Sequence, residues 1–269
     1  MAPLPTEWSR VRRPLVGMLH LPPLPGAPRH SGNLDAVADH VYRDADALAS
    51  GGVHGLMLEN YGDLPFYPGR VPAHVVAHMT ALACGVRQRF PQLPLGINVL
   101  RNDGRSALAV AHAAGARFIR VNVLCGARVA DQGVIQGVAH DLLRDRTLLG
   151  ANDTVAIFAD VDVKHSAPLA PRPLEEEVAD ALHRGLADAL IVSGVGTGRA
   201  TDPGHVAAAK AAAAGRAPVF VGSGVTAASL HEYLPHADGF IVGSAFKSGG
   251  DPSQPVDAAR VRELASLLR

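Results

Sequence analysis

Eight short apolar runs constrain the fold of this 269-residue chain more than any other feature. Each is followed by a polar or Gly-rich turn and then by a stretch with helical periodicity. The runs fall near Leu15–His20, Gly55–Glu59, Leu95–Val99, Phe118–Val121, Ala156–Val161, Ala189–Val192, Val219–Val221 and Gly239–Val242. Strands that alternate with helices form parallel sheets, because parallel neighbours need a long crossover. Eight such units with no linker between them predict an α/β fold closed into a single TIM (β/α)8 barrel over residues 14–269, with 1–13 as an N-terminal extension. A doubly wound open sheet is the runner-up, but no GxGxxG follows the first run, which disfavours dinucleotide binding. Helix punctuation fits the pattern: Thr201 or Asp202 caps a helix that opens on Pro203 and stops before Gly215, and Thr226 caps Ala227 to Leu234.

Composition narrows the function classes. Hydrophobic residues make up 48% of the chain and charged residues 19%, ample for a core and unlike a disordered segment. The 25 basic and 25 acidic residues cancel, so no bulk field draws in a nucleic acid polymer or an anionic membrane. No run approaches the ~18 apolar residues of a membrane span, and the N-terminus lacks a signal-type apolar stretch, so integral membrane association is not expected. The two cysteines, Cys84 and Cys125, cannot make a disulfide framework and fit a reducing cytoplasm. Cys125 has no neighbouring base and reads as a packing residue. The Pro-rich segment from Leu21 to Pro28 directly follows the first strand, where a stiff loop over the functional face belongs.

In a parallel barrel all strand ends open on one face, so residues distant in sequence converge there. Here those ends carry His20; Glu59; Asn98 with Arg101; Arg120 with Asn122; Asp160, Asp162, Lys164 and His165; Ser193 with Gly194; Gly222-Ser223-Gly224; and Gly243-Ser244. So many ionisable groups are a poor investment for stability alone, since unpaired buried charge is costly and paired buried charge about breaks even. After the seventh and eighth strands, Gly222-Ser223-Gly224 and Gly243-Ser244 lack Cβ atoms where backbone N–H groups can approach an anion, and these two loops often hold phosphate in barrels. They are the expected phosphate site, against the plainer reading of two tight turns.

The fifth run, Ile157 to His165, alternates so that Asp160, Asp162 and Lys164 share one face. Facing inward, they place an amine among carboxylates, and burial opposes charge, so one group can be tuned for proton transfer. Lys164 could alternatively form a Schiff base with a carbonyl. The expected catalytic set is Asp160, Lys164, Glu59, His165, Asp162 and His20, with Asn98, Arg101, Arg120, Asn122, Ser193 and Gly194 binding substrate. A self-neutralising salt-bridge cluster is the structural alternative. His20, Glu59, Asp160 and His165 could also supply ligands to a divalent metal, though no HxxxH or CxxC spacing supports it, and no other cofactor is indicated. The Gly194 to Gly198 loop is either flexible enough to close over a substrate or a plain linker.

Six segments together resemble the BtpA family: Gly17 to Gly26, Glu59 to Asp63, Gly96 to Asp103, Arg120 to Leu124, Asp160 to His165 and Val221 to Val225. The resemblance runs from about residue 14 to the C-terminus and implies a barrel of the ribulose-phosphate-binding kind. The family's name derives from a thylakoid-associated protein needed for photosystem I biogenesis, while relatives also occur in non-photosynthetic bacteria and archaea. Asp162 stands where many similar sequences carry His. Two function classes follow. One is a cytoplasmic enzyme using acid-base chemistry, as an isomerase, epimerase, lyase or hydrolase, on a phosphorylated sugar or nucleotide-like small molecule. The other is a non-catalytic, peripherally membrane-associated assembly factor. Convergent ionisable groups favour the first, and homo-oligomer formation stays open.

Overall fold

A computed structural model describes residues 4–194, 196 and 200–268. Eight parallel strands close a barrel: β1 (Leu15–His20), β2 (Gly55–Glu59), β3 (Leu95–Asn98), β4 (Phe118–Val121), β7 (Ala156–Val161), β9 (Ala189–Val192), β10 (Val219–Val221) and β11 (Gly239–Val242). Their order around the ring follows the chain, and β11 returns to pair with β1. Eight helices complete the units: α1 (Leu34–Gly51), α2 (Ala73–Arg89), α3 (Gly104–Ala114), α4 (Ala139–Leu148), α5 (Leu174–Ala179), α6 (Pro203–Ala213), α7 (Leu230–Tyr233) and α8 (Ala258–Ser266). Side-chain caps on Asn33, Asp103, Asp202 and Asp257 satisfy the first free N–H groups of α1, α3, α6 and α8. No helix among the described residues is long and apolar enough to cross a membrane.

Two cores follow from the strand period of two. Outward residues such as Leu19, Leu58, Ile97, Ile119 and Val192 pack beneath the helices. Inward residues Met18, Met57, Phe118, Phe158, Ile191, Phe220 and Ile241 fill the barrel. Gly96 sits beside the Phe118 ring, where a Cβ would lie 2.2 Å from a ring carbon, so the large residue is accommodated by a small neighbour. Residues ahead of the first strand are integral to this packing. Trp8 is buried against Phe118, Phe158 and Phe220 with ring centroids 5.5 to 6.4 Å away, and its indole donates to the His54 carbonyl at 2.6 Å.

Three features differ from the sequence reading. A small antiparallel sheet, β5 (Ala127–Ala130), β6 (Gly133–Gln136) and β8 (Ser166–Pro168), joins the loop after β4 to the loop after β7. The helix expected over Ala227 to Leu234 shrinks to α7, because Thr226 and Ser229 bond each other's side chains and backbones in a turn that uses the first residues. Alternation along the fifth barrel strand stops at Val161. Asp162 adopts a left-handed φ of 54° and its carboxylate turns to Arg128 on β5, away from Asp160.

Candidate functional site at the barrel mouth

The period of two dictates what the mouth contains. Two residues beyond the last apolar inward side chain stand His20, Glu59, Asn98, Arg120, Asp160 and Ser193, and then Gly222 and Gly243. Register aligns His20 with Glu59, Glu59 with Asn98 and Asn98 with Arg120, so four polar ends form one row. The two glycines let neighbouring side chains approach the backbone closely beside the mouth. A Cβ on Gly222 would lie 2.5 Å from Ile191 Cγ2, and one on Gly243 would lie 2.8 Å from His20 Cε1. A cavity of about 350 Å³ is lined by His20, Glu59, Arg120 and Lys164 together with both Gly-Ser turns.

The turns and the charged row face each other across this cavity. Gly224 has a left-handed φ of 70°, and the Gly224 and Val225 N–H groups donate to no protein acceptor among the described residues. The Ser223 hydroxyl accepts from Gly194 N–H at 2.8 Å, and Thr201 donates to the Ser223 carbonyl at 2.9 Å, which fixes the turn. Ser193 plays a similar part, accepting from Lys164 N–H at 3.3 Å. Arg260 of α8 also lines the cavity and donates to the Ala245 carbonyl at 3.4 Å. Sequence reasoning missed it because nothing local distinguishes it from an ordinary helix-surface arginine. With α7 and the turn after Gly243 so short, an anion here would be held by turn N–H groups rather than by a helix N-terminus.

Asp160 does not line this cavity; it borders a smaller one of about 230 Å³ together with Asn122, Arg128 and Asp162. Arg120 donates to both Asp160 oxygens at 2.8 and 2.7 Å, Asn122 adds a bond of 2.9 Å, and both charged side chains are buried. Burial works against the Arg120 charge, but Asp160 outweighs it and holds the guanidinium above its ordinary range. Asn98 ties the row together through the Arg120 carbonyl and the Asn122 side chain. With both oxygens engaged, Asp160 serves as an anchor for Arg120, which lines the cavity together with Glu59, Lys164 and His20.

Their electrostatics follow from crowding. Burial, then the Arg120 guanidinium, pushes the Lys164 amine below its usual pKa, while Glu59 and Asp160 pull the other way. Burial, with Lys247 and Lys164 nearby, pushes His20 down to about 3. The Pro252 backbone and Asp44 favour the cation but are outweighed, so His20 is a neutral imidazole at neutral pH, with the Glu59 carboxylate 3.8 Å from its Nε2. Lys247 itself is fully buried and ion-paired to Asp44 of α1, which pins the turn after β11 to the helical layer. Burial raises Cys125, in keeping with an inert thiol.

Other expected site residues fall elsewhere. Arg101 and His165 line a neighbouring cavity of about 490 Å³, which also touches Glu59, Asn122 and Lys164. Asp162 pairs with Arg128 and approaches His205 at 3.6 Å, outside these two cavities. Among the described residues no group of three or more His, Cys, Asp and Glu side chains converges as metal ligands, and the suggested set is divided between Asp160, which does not line the first cavity, and His165 in the other. Of the Gly194 to Gly198 loop, residues 195, 197 and 198 lie outside the described residues.

These features define a TIM (β/α)8 barrel with a polar, cation-rich mouth. Thiamine phosphate pyrophosphorylase from Pyrococcus furiosus shares the fold, with a TM-score of 0.57 at 14% identity over 96% of this chain and 95% of its own. Within that class the chain belongs to the BtpA family, whose model matches residues 11–269. It is 45% identical over 262 residues to the photosystem I biogenesis protein BtpA of Synechocystis sp., covering 97% of this chain and 90% of that protein. It is 43% identical over 258 residues to an uncharacterized protein of Thermococcus kodakarensis, covering 96% of each.

Proposed function

We propose that the protein is an enzyme acting by acid-base chemistry on a phosphorylated sugar or nucleotide-like small molecule, as an isomerase, epimerase, lyase or hydrolase. One observation carries the reading: both Gly-Ser turns and the Glu59–Lys164 pair line a single cavity. The phosphate is held by Gly222, Ser223, Gly224, Gly243 and Ser244, with Arg260 adding charge. Lys164, moved toward neutrality by burial, and Glu59 exchange protons with the group bound between them. Neutral His20 offers a hydrogen bond without charge, and the Arg120–Asp160 pair keeps the floor rigid. Fold relatives with phosphorylated compounds in their names, such as thiamine phosphate pyrophosphorylase, support the same reading by analogy.

The test is thermal unfolding with inorganic phosphate, ribose 5-phosphate and nucleoside monophosphates, on the parent and on Gly224→Val. A ligand at 100 times its Kd adds about 2.7 kcal/mol to the parent, and the bulky variant loses that gain. Equal shifts in both proteins put the phosphate site elsewhere. A second reading, a non-catalytic assembly factor, is favoured by the 45% identity to a photosystem I biogenesis protein. It requires function to survive Glu59→Gln and Lys164→Met when these variants replace the relative in Synechocystis cells.

A further inference from the structure

The cavity against the Gly-Ser turns does not end at Glu59 and Lys164. The same two residues border the second cavity, whose remaining wall is Tyr61, Leu64, Phe66 and Leu100 with the polar Arg101, Asn122, Asp131 and His165. Tyr61 packs on the His20 ring with centroids 4.6 Å apart, so the two compartments meet across that pair. A pentose phosphate seated on the Gly-Ser turns would leave the second compartment without an occupant.

Arg101 distinguishes the second compartment. Four arginines among the described residues are less than a tenth exposed, namely Arg101, Arg120, Arg128 and Arg146. Three have carboxylate partners: Asp160 for Arg120, Asp162 for Arg128 and Asp188 for Arg146. Arg101 donates to the Lys164 carbonyl at 2.6 Å, and no described carboxylate oxygen lies within 4.0 Å of it. Asp160, Glu59 and Asp131 act on Arg101 only from a distance, and burial still pushes it below its ordinary range, so an anion that pairs with it directly relieves a cost. The planar Arg101 fork matches a carboxylate. No Gly-Ser turn borders this compartment, and the side chains of Tyr61, Leu64, Phe66 and Leu100 suit an organic carboxylate better than a second phosphate.

We propose that the second cavity binds the non-phosphate half of the substrate, and that this half is a planar ring bearing a carboxylate that pairs with Arg101. The inference rests on the phosphate site described above. It makes Arg101 a specificity-determining residue, with Tyr61, Phe66 and Leu100 as the stacking surface.

Orotidine 5′-monophosphate and uridine 5′-monophosphate differ only by a carboxylate on a planar ring, so their affinities isolate the proposed contact. Calorimetry on the parent should give at least about tenfold tighter binding of the carboxylated probe. Arg101→Gln should abolish that preference, giving the two nucleotides equal affinity. Phe66→Ala should weaken both nucleotides but not ribose 5-phosphate. Equal binding of the two nucleotides by the parent, a comparison that needs no variant, overturns the inference and leaves the phosphate site standing. A preference that survives Arg101→Gln overturns the role of Arg101. If no phosphorylated probe binds, the phosphate site fails and the inference with it.

Discussion

Replacing His20 by Gln should flatten the acid limb of the stability curve. His20 is 7% exposed, and burial together with Lys247 and Lys164 takes its pKa from 6.5 to about 3 in the folded protein. The sign follows from linkage: below pH 6.5 the unfolded chain binds a proton that the folded one refuses, so the stabilisation is complete above 6.5 and is lost as pH falls toward 3. One such group changes stability by at most about 1.4 kcal/mol per pH unit, which integrates to about 2 kcal/mol between pH ~6.5 and pH ~4.5. Half-buried His54 is also pushed down by burial, but it is common to parent and variant and cancels in their difference. Asp44, lowered to about 2, titrates below this window. Urea unfolding at 25 °C across that range should therefore show the parent losing about 2 kcal/mol more than His20→Gln. A parent-minus-variant difference that stays constant within about 0.5 kcal/mol, or an NMR titration that protonates the His20 ring near pH 6, refutes the argument.

Other variants separate anchors from working groups. Asp160→Asn leaves Arg120 buried without its counter-charge and should cost about 3–5 kcal/mol in urea unfolding. Lys164→Met removes an ammonium that burial already disfavours, so stability at pH 7 should hold or rise while turnover on any identified substrate falls about 100-fold or more; turnover within about threefold of the parent would remove Lys164 from the chemistry. Lys247→Met leaves Asp44 with only His40 and the Val256 N–H as partners and should destabilise by about 2–3 kcal/mol, and adding Asp44→Asn should recover part of that loss. Asp44 is lowered to about 2, so its contribution is present above pH 3.8 and fades as pH drops toward 2, a loss that the double variant should lack in acid unfolding.

The barrel was legible because each strand is a run of apolar residues bounded by turn residues, and the runs read from sequence agree with the strands apart from Val99, which lies just past the end of β3. Reading the strand ends as a shared polar face follows from the same period. What sequence could not supply was pairing. Asp160 and Arg120 are 40 positions apart, and Asp44 and Lys247 are 203 apart, so no local pattern distinguishes an anchored carboxylate from one facing a cavity. Period-two reasoning failed at Asp162 because the strand had already ended and the backbone turned left-handed. The β5–β6 hairpin did leave a signal, alternation on either side of Asp131-Gln132 with Gly133 at a φ of 95°, that a closer reading of the loop after β4 would have caught.

The plug of aromatic rings at the closed end of the barrel gives the protein a built-in reporter. Trp8 is the chain's one tryptophan, and it sits among Phe118, Phe158 and Phe220 at the N-terminal ends of the strands, opposite the mouth. Its emission therefore reads the integrity of the barrel floor alone. Ligand occupancy at the other end should leave the spectrum unchanged, while any loosening of strand closure should shift it to the red. Intrinsic fluorescence and ligand-induced thermal shifts thus monitor opposite ends of one molecule, which lets fraying at the base be told from emptying of the site without attaching a dye.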